Sequence, residues 1–187
     1  MTGGKIYAIE GYNTRNSMEC FDPNEGPQGQ WTALTPMTRP RSYFAAAALG
    51  GKIFVTDLAG NECFDPVTGA WTALPPMSTP RYGHAMVSAN GKLYVAGGRA
   101  GGVDNNHQHL NLKSVECFDP TTRVWTNIAA MNEYRSSLGL AVLGDKLYAI
   151  GGSGSNSLSS VECLDLSIPN GEWTPVASMT TPRSHFG

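Results

Sequence analysis

Four cysteines and four histidines are the side chains of this chain that could ligate a metal or attack a substrate. The cysteines all stand at one place in a recurring stretch: Glu19-Cys20, Glu62-Cys63, Glu116-Cys117 and Glu162-Cys163. Equivalent positions in stacked units lie about 10 Å apart, whereas a disulfide needs Cα atoms within about 7 Å. Buried, reduced thiols are therefore expected, and the same spacing denies them a shared metal ion. His107-Gln108-His109 has the form of a ligand pair, but no third ligand stands at a useful spacing, which leaves a solvated loop. Gly97-Gly98-Arg99-Ala100-Gly101-Gly102 lacks the following helix whose N-terminal donors make a phosphate cradle. No serine sits in a nucleophile motif. No triad or paired carboxylate site assembles from these residues, so the chain is expected to be no enzyme and to carry no catalytic residue, cofactor or metal.

The signal that does stand out is repetition. Glu19-Cys20-Phe21-Asp22-Pro23 leads to Trp31, Glu62-Cys63-Phe64-Asp65-Pro66 to Trp71, Glu116-Cys117-Phe118-Asp119-Pro120 to Trp125, and Glu162-Cys163-Leu164-Asp165 to Trp173. A Met follows each Trp by six residues (Met37, Met77, Met131, Met179), and an Arg follows each Met by four (Arg41, Arg81, Arg135, Arg183). An aromatic follows a Lys by two at Tyr7, Phe54, Tyr94 and Tyr148. The Trp-to-Trp spacings of 40, 54 and 48 residues are those of stacked supersecondary units.

Composition narrows the class. Charged residues are 15% of the 187, below the roughly 25% of an ordinary globular domain, and 22 glycines suit short strands and tight turns. A net charge of −2 without blocks of one sign argues against nucleic acid or an anionic membrane as partner. No run of about 18 apolar residues exists to span a bilayer, and Met1 to Lys5 lacks the apolar core of a signal peptide. A cytoplasmic protein is the resulting expectation.

The third unit shows the elements most clearly. Arg81 to Ala89 reads as a first strand, A, and Asn90-Gly91 as a hairpin turn. Lys92 to Ala96 is strand B, stopped by Gly97-Gly98, and a long polar loop from Arg99 to Lys113 follows. Ser114 to Phe118 is strand C, Asp119-Pro120-Thr121-Thr122 a turn, and Val124 to Ile128 strand D. Strand B is apolar on both faces after its Lys, as befits a small sheet between two others. Four-stranded antiparallel meanders stacked radially make a β-propeller, so the fold class is all-β. The four Trp and the aromatics of strand B are expected to pack between blades, and truncating such a Trp to cost about 3–5 kcal/mol. The Glu of strand C, in apolar company, needs a partner, and the repeat Arg is the expected one.

The combination of Gly-Lys-apolar-Tyr, Gly-Gly, Val-Glu-Cys-Phe-Asp-Pro, Trp, Met and Arg resembles the kelch repeat over essentially the whole chain. Two modules depart from it: Glu10-Gly11 and Asp57-Leu58 stand where Gly-Gly belongs, and the second has only Ala59-Gly60-Asn61 between B and C. The resemblance implies a kelch-type propeller with blades at about 3–40, 41–80, 81–134 and 135–182, and a further strand beginning at 183–187. It is closest in form to the kelch-like substrate adaptors, in which BTB and BACK domains precede the propeller and dock a cullin-type ubiquitin ligase. It implies a protein-binding module that captures a peptide segment of a substrate. Actin or cytoskeletal binding is the alternative, and a kelch-fold oxidase or sugar isomerase a more distant one.

Binding would fall on the rim that carries the B–C loops and the residues after each strand-A Arg, because variable loops on a rigid frame carry specificity. Carried onto this chain, the family's contacts are Ser42, Tyr82, Ser136 and Ser184, with Tyr12, Arg15, Arg99, Asn105 and Asn156. His84 and His185, just after Arg81 and Arg183, stand where they could meet a ligand at the channel or serve as core histidines. Arg15→Ala and Arg99→Ala are expected to leave stability within about 0.5 kcal/mol, as exposed loop changes do.

The chain opens on Gly3-Gly4-Lys5-Ile6-Tyr7, a turn and strand B, and closes on Arg183-Ser184-His185-Phe186, the start of a strand A. Four blades are the low limit for a propeller and about six the family's habit. An open arc, part of a longer protein's ring, is expected, with blade faces that drive self-association. For the thiols, titration in denaturant without reductant should find four free groups, and a mobility shift of the native monomer on reduction would contradict the spacing argument.

Overall fold

The structure, a computed structural model, describes residues 4–11, 15–103 and 109–186. β1 (Ile6–Ile9), β2 (Met18–Asp22) and β3 (Gln30–Ala33) form a three-stranded sheet. β4 (Ala45–Leu49), β5 (Lys52–Asp57), β6 (Gly60–Asp65) and β7 (Ala70–Leu74) form the second. The third module supplies β8 (Arg81–Tyr82), β9 (Ala85–Ala89), β10 (Lys92–Ala96), β11 (Arg99–Val103), β12 (His109–Asn111), β13 (Val115–Asp119) and β14 (Val124–Ile128). Of these, β9, β10, β13 and β14 make the third main sheet, and β8, β11 and β12 a small separate one. β15 (Gly139–Leu143), β16 (Lys146–Ile150), β17 (Val161–Asp165) and β18 (Thr174–Val176) make the fourth.

All pairings are antiparallel, and the register repeats: Ala8, Val55, Val95 and Ala149 stand opposite Glu19, Glu62, Glu116 and Glu162. The innermost strands β4, β9 and β15 pack side by side. Among the described residues no sheet joins the first module to the fourth, so the blades form an unclosed propeller arc.

Three apolar clusters fill the three gaps between sheets. Met18, Met37, Ile53, Val55 and Phe64 lie between the first and second. Phe54, Met77, Leu93, Val95 and Phe118 lie between the second and third. Tyr94, Met131, Leu147, Leu164 and Trp173 lie between the third and fourth. Each repeat Trp except the first also ties its blade to the one before. The indole N–H of Trp71 donates to the Thr35 carbonyl at 3.0 Å, that of Trp125 to Pro75 at 3.0 Å, and that of Trp173 to Ala129 at 2.8 Å. Trp31 is the exception to the expected packing between blades: it meets Phe21 of its own sheet and is 48% exposed. Its truncation therefore loses far less buried area than the same change at Trp173, which is 4% exposed.

The expected Arg–Glu contact is present in three blades. Arg41 meets Glu62 at 2.9 Å, Arg81 meets Glu116 at 2.6 Å and Arg135 meets Glu162 at 3.0 Å, all six residues buried. Each guanidinium is fully engaged. Arg135 also donates to the Gly151 and Ser160 carbonyls and the Ser160 hydroxyl, and Arg81 does the same at Gly97 and Ser114. The carboxylates accept backbone N–H groups in return, Ser78 and Thr79 at Glu116, Asn132 and Glu133 at Glu162. In the second module the Asp57 carboxylate, 2.7 Å from Arg41, takes the place of the glycine carbonyl. That is why this module folds without Gly-Gly. In the others the glycines are needed: Gly97 (φ 64) and Gly151 (φ 54) would each drive a Cβ into the backbone carbonyl of the next module's Arg, Arg135 and Arg183.

The expectation of one strand from Arg81 to Ala89 is corrected: the structure has two. The chain breaks between β8 and β9 at Gly83, whose φ is 59. Tyr43, Ser137 and His185, each also two residues after a repeat Arg, share that left-handed conformation, with φ of 53, 50 and 56. The reason is a chain of backbone hydrogen bonds from module to module: Gly83 N–H to Tyr43, Ser137 N–H to Gly83, and His185 N–H to Ser137, at 2.8, 2.7 and 3.0 Å. The loop expected from Arg99 to Lys113 is likewise corrected in its described parts. β11 and β12 pair with each other, and β11 pairs with β8. Gly60 and Asn61, expected in the B–C connection, belong to β6, which leaves Leu58-Ala59 as the turn.

Two measurements probe these contacts. Glu116→Ala leaves Arg81 buried without its carboxylate and should lower unfolding free energy by about 3–5 kcal/mol in urea, whereas Glu19→Ala, an exposed change, should stay within about 0.5 kcal/mol. The second concerns His84, buried with its Nε2 2.7 Å from the Thr56 hydroxyl across the second and third sheets. Burial, and then the Arg81 charge, hold its pKa down to about 3. The unfolded chain takes up the proton near pH 6.5, so this contribution to stability is full above that pH and falls between 6.5 and about 3, by about 1.4 kcal/mol per pH unit. His84→Gln should flatten that part of the stability–pH curve.

Candidate functional site at the rim

The residues that follow each repeat Arg are held in place by the backbone chain through Tyr43, Gly83, Ser137 and His185. Their side chains come from three successive modules and the segment that follows them, and gather around a cavity of about 280 Å³ lined by Tyr43, Tyr82, Arg99, Ser136, Ser137 and His185. Arg99 stands opposite Tyr82 in the β8–β11 pairing. Its Nε donates to Asn111 Oδ1 at 3.1 Å and to the Ser136 hydroxyl at 3.2 Å. His185 Nε2 lies 3.0 Å from the Ser137 hydroxyl. A second hollow beside it is lined by Ser42, Tyr43, Asp57, Leu58 and Tyr82, and the rings of Tyr43 and Tyr82 stand 6.1 Å apart between the two. Hydroxyls, a guanidinium, an imidazole and two phenol rings can together read a polar, extended chain.

The sequence-derived residues distribute unevenly. Tyr82, Arg99 and Ser136 line the first cavity, and Ser42 and Tyr82 the second. Ser184 lies 3.4 Å from Ser157, next to the exposed Asn156. Arg15 is apart from them, in an exposed pair with Glu10 at 2.6 Å. That arginine, and then Ser17, hold the Glu10 carboxyl below its usual range. Tyr12 and Asn105, like His107, lie outside the described residues. Ser136 itself is 1% exposed, so it braces the Arg99 side chain more than it faces solvent. Tyr43 and Ser137 were missed, whereas His185, weighed from the sequence as a channel ligand or a core histidine, is exposed and lines the cavity. Their signal is the spacing of two from the repeat Arg, which only the shared left-handed backbone makes meaningful.

Other features have less to offer a ligand. Another cavity, about 410 Å³, opens on the opposite rim between the second and third sheets. Its polar groups are already engaged: Lys52 pairs with Asp65 at 3.1 Å, and Arg123 donates to the Ala73 carbonyl. The four cysteines are free, buried thiols. Burial pushes the Cys63 thiol up to about 11, and a protonated thiol is a poor nucleophile or ligand. Among the described residues no three His, Cys, Asp or Glu side chains gather as metal ligands do. No helix among them is long and apolar enough to cross a membrane.

Comparison with known proteins agrees with this architecture. The kelch motif model matches residues 80–132 and 134–180. Kelch-like protein 28 of Homo sapiens is 42% identical over 138 residues, which is 73% of this chain and 17% of that protein. Kelch-like protein 7 of Rattus norvegicus is 38% identical over 78 residues, 41% of this chain and 13% of that one. Kelch-like protein 24 of Homo sapiens is 29% identical over 140 residues, 71% and 22% respectively. The chain thus spans less than a quarter of the length of these relatives. Among solved structures, that of YjhT superposes with a TM-score of 0.81 over 98% of this chain and 65% of that one, at 20% identity, which speaks to fold alone. Repeat, blade geometry and sequence relatives converge on one assignment: the chain belongs to the kelch-repeat family.

Proposed function

We propose that this segment captures a peptide stretch of another protein on the rim around Tyr43, Tyr82, Arg99 and Ser137. The observation that carries the reading is the convergence on one cavity of chemically different side chains from three modules and the segment that follows them. Peptides bound this way gain hydrogen bonds from Arg and hydroxyl groups and contact area from aromatic rings. The reading assigns no catalytic step. We extend it to a cytoplasmic adaptor role, in which flanking BTB and BACK domains of the full-length protein dock a cullin-type ligase and this propeller selects the substrate. The form of the repeat and the likeness to Kelch-like proteins support that extension.

The test is quantitative capture of cellular proteins by the wild-type chain and by variants of each rim. Tyr43→Ala should reduce capture with stability kept within about 0.5 kcal/mol, because the ring is 61% exposed. Arg15→Ala should likewise leave stability unchanged. Arg99→Ala should cost about 1 kcal/mol, more than the sequence suggested, because two hydrogen bonds of a half-buried side chain are lost. Loss of capture with Lys52→Ala and Arg123→Ala but not with Tyr43→Ala would move the site to the opposite rim. For the adaptor role, the full-length protein should co-precipitate a cullin, and its depletion should raise the level of the captured protein. Co-sedimentation with filamentous actin instead would support the cytoskeletal alternative.

A further inference from the structure

The cavity between the second and third sheets, on the opposite rim, offers little to a polar chain but more to an apolar body. Leu49, Phe54, Cys63 and Leu74 line it from the second sheet and Phe118 from the third. The Phe54 and Phe118 rings are buried, with centroids 6.3 Å apart and planes inclined by 58°. At about 410 Å³ the cavity falls in the range of roughly 300–1,000 Å³ of small-molecule sites, which pair apolar walls with a few placed polar groups. The placed group here is Arg123, which lines the mouth, exposed and, among the described residues, in no ion pair. A single terminal nitrogen, Nη2, donates to the Ala73 carbonyl of the second sheet at 3.0 Å, which lays the guanidinium across the gap between blades.

The backbone at Arg123 sets it apart from its repeat counterparts. Its φ is 59, a left-handed conformation that few L side chains adopt. The second module makes the same turn, with the same N–H bond to the Asp carbonyl at 2.8 Å, and places Gly69 there with φ 68. Glycine meets the needs of this turn without strain, so the turn does not account for an arginine. The hollow between the third and fourth sheets is built from the matching positions Tyr94, Cys117 and Leu164, but Ile168 to Gly171 overhang it and no arginine lines it. Asp65, the carboxylate at the mouth of the first cavity, is paired with Lys52 at 3.1 Å and accepts the Val67 N–H, so little of its charge opposes an anion.

We infer that this cavity is a binding site for a small amphipathic anion, with an aromatic or branched apolar body between Leu49, Phe54, Leu74 and Phe118 and a carboxylate on Arg123. The occupant is anionic because the unpaired charge at the mouth is a guanidinium, and small because the walls are two facing sheets. The inference does not rest on the peptide reading, since the cavity shares no residue with the surface around Tyr43, Tyr82 and Arg99.

Equilibrium dialysis of the 187-residue chain against naphthoate, with naphthalenemethanol as the uncharged counterpart, tests it. Naphthoate should bind saturably and about tenfold more tightly than the alcohol. Arg123→Gly supplies the residue found at that place in the second module; it should erase the preference and leave the alcohol's affinity unchanged. Thr72→Trp sets an indole in the cavity from an exposed strand position and should abolish binding of both probes. Thr126→Trp, the same change in the hollow between the third and fourth sheets, should leave both as in the wild type. Unchanged thermal unfolding will show that each variant folds. Labelling with N-ethylmaleimide locates the probe without any substitution: naphthoate should slow the reaction of Cys63, which lines the cavity, and not that of Cys117. No saturable binding of naphthoate, binding that survives Thr72→Trp in a folded chain, or no protection of Cys63 would overturn the site. Equal affinity for the two probes, unmoved by Arg123→Gly, would overturn the anion.

Discussion

A buried guanidinium on a buried carboxylate holds this arc together. The Arg of each module is tethered twice. The backbone of Arg135 is hydrogen-bonded to the blade before it, at Leu112 and Gly98, while its side chain reaches Glu162, Gly151 and Ser160 of its own blade. Two desolvated charges are costly unless every donor and acceptor is met, and here the backbone of the same blade and of the segment leading into it supplies the remaining partners. The pair therefore fixes the offset between sheets, while the apolar clusters and the indole bonds supply contact that is less particular about direction.

The same requirement explains where the repeat varies. Gly97-Gly98 and Gly151-Gly152 let the next Arg segment approach closely and offer a carbonyl to the guanidinium of their own module, Arg81 and Arg135. The second module has Asp57 instead, and a carboxylate replaces that carbonyl while also holding Arg39. A module can lose the glycines if it supplies an acceptor by other means, and the very tight Leu58-Ala59 turn goes with that solution.

Much of this was legible in the sequence because the landmarks keep a fixed spacing. Trp, Met and Arg at intervals of six and four locate the strands, and an isolated Glu in an apolar strand demands a cation. What was not legible depends on neighbours. Trp31 looks like its three counterparts in sequence, yet among the described residues it is exposed where they are not, so the repeat reports position within a module and not company. Tyr43, Ser137 and His185 carry no turn signal, and only Gly83 does; a tertiary hydrogen bond overrides local preference there. The β11–β12 hairpin runs through Gly101 and Gly102, whose β-propensity is low, and its pairing to β8 is long-range. For the candidate site, the residue one past each Arg was foreseeable, while of the residues two past only His185 was singled out, for its imidazole and not for its position.

The left-handed residue two past each Arg has a consequence for how this surface can diversify. Its orientation is set by its own N–H and C=O, so four quite different residues, Tyr43, Gly83, Ser137 and His185, occupy one mounting. An ordinary side chain held at such a φ costs about 1–3 kcal/mol, a strain the inter-blade bond offsets at every module alike. The side chain is thereby uncoupled from the job of holding the backbone. Each module contributes one freely editable character at a fixed spacing around the channel mouth, and a change of letter alters what the surface can read while the frame beneath it stays as it is.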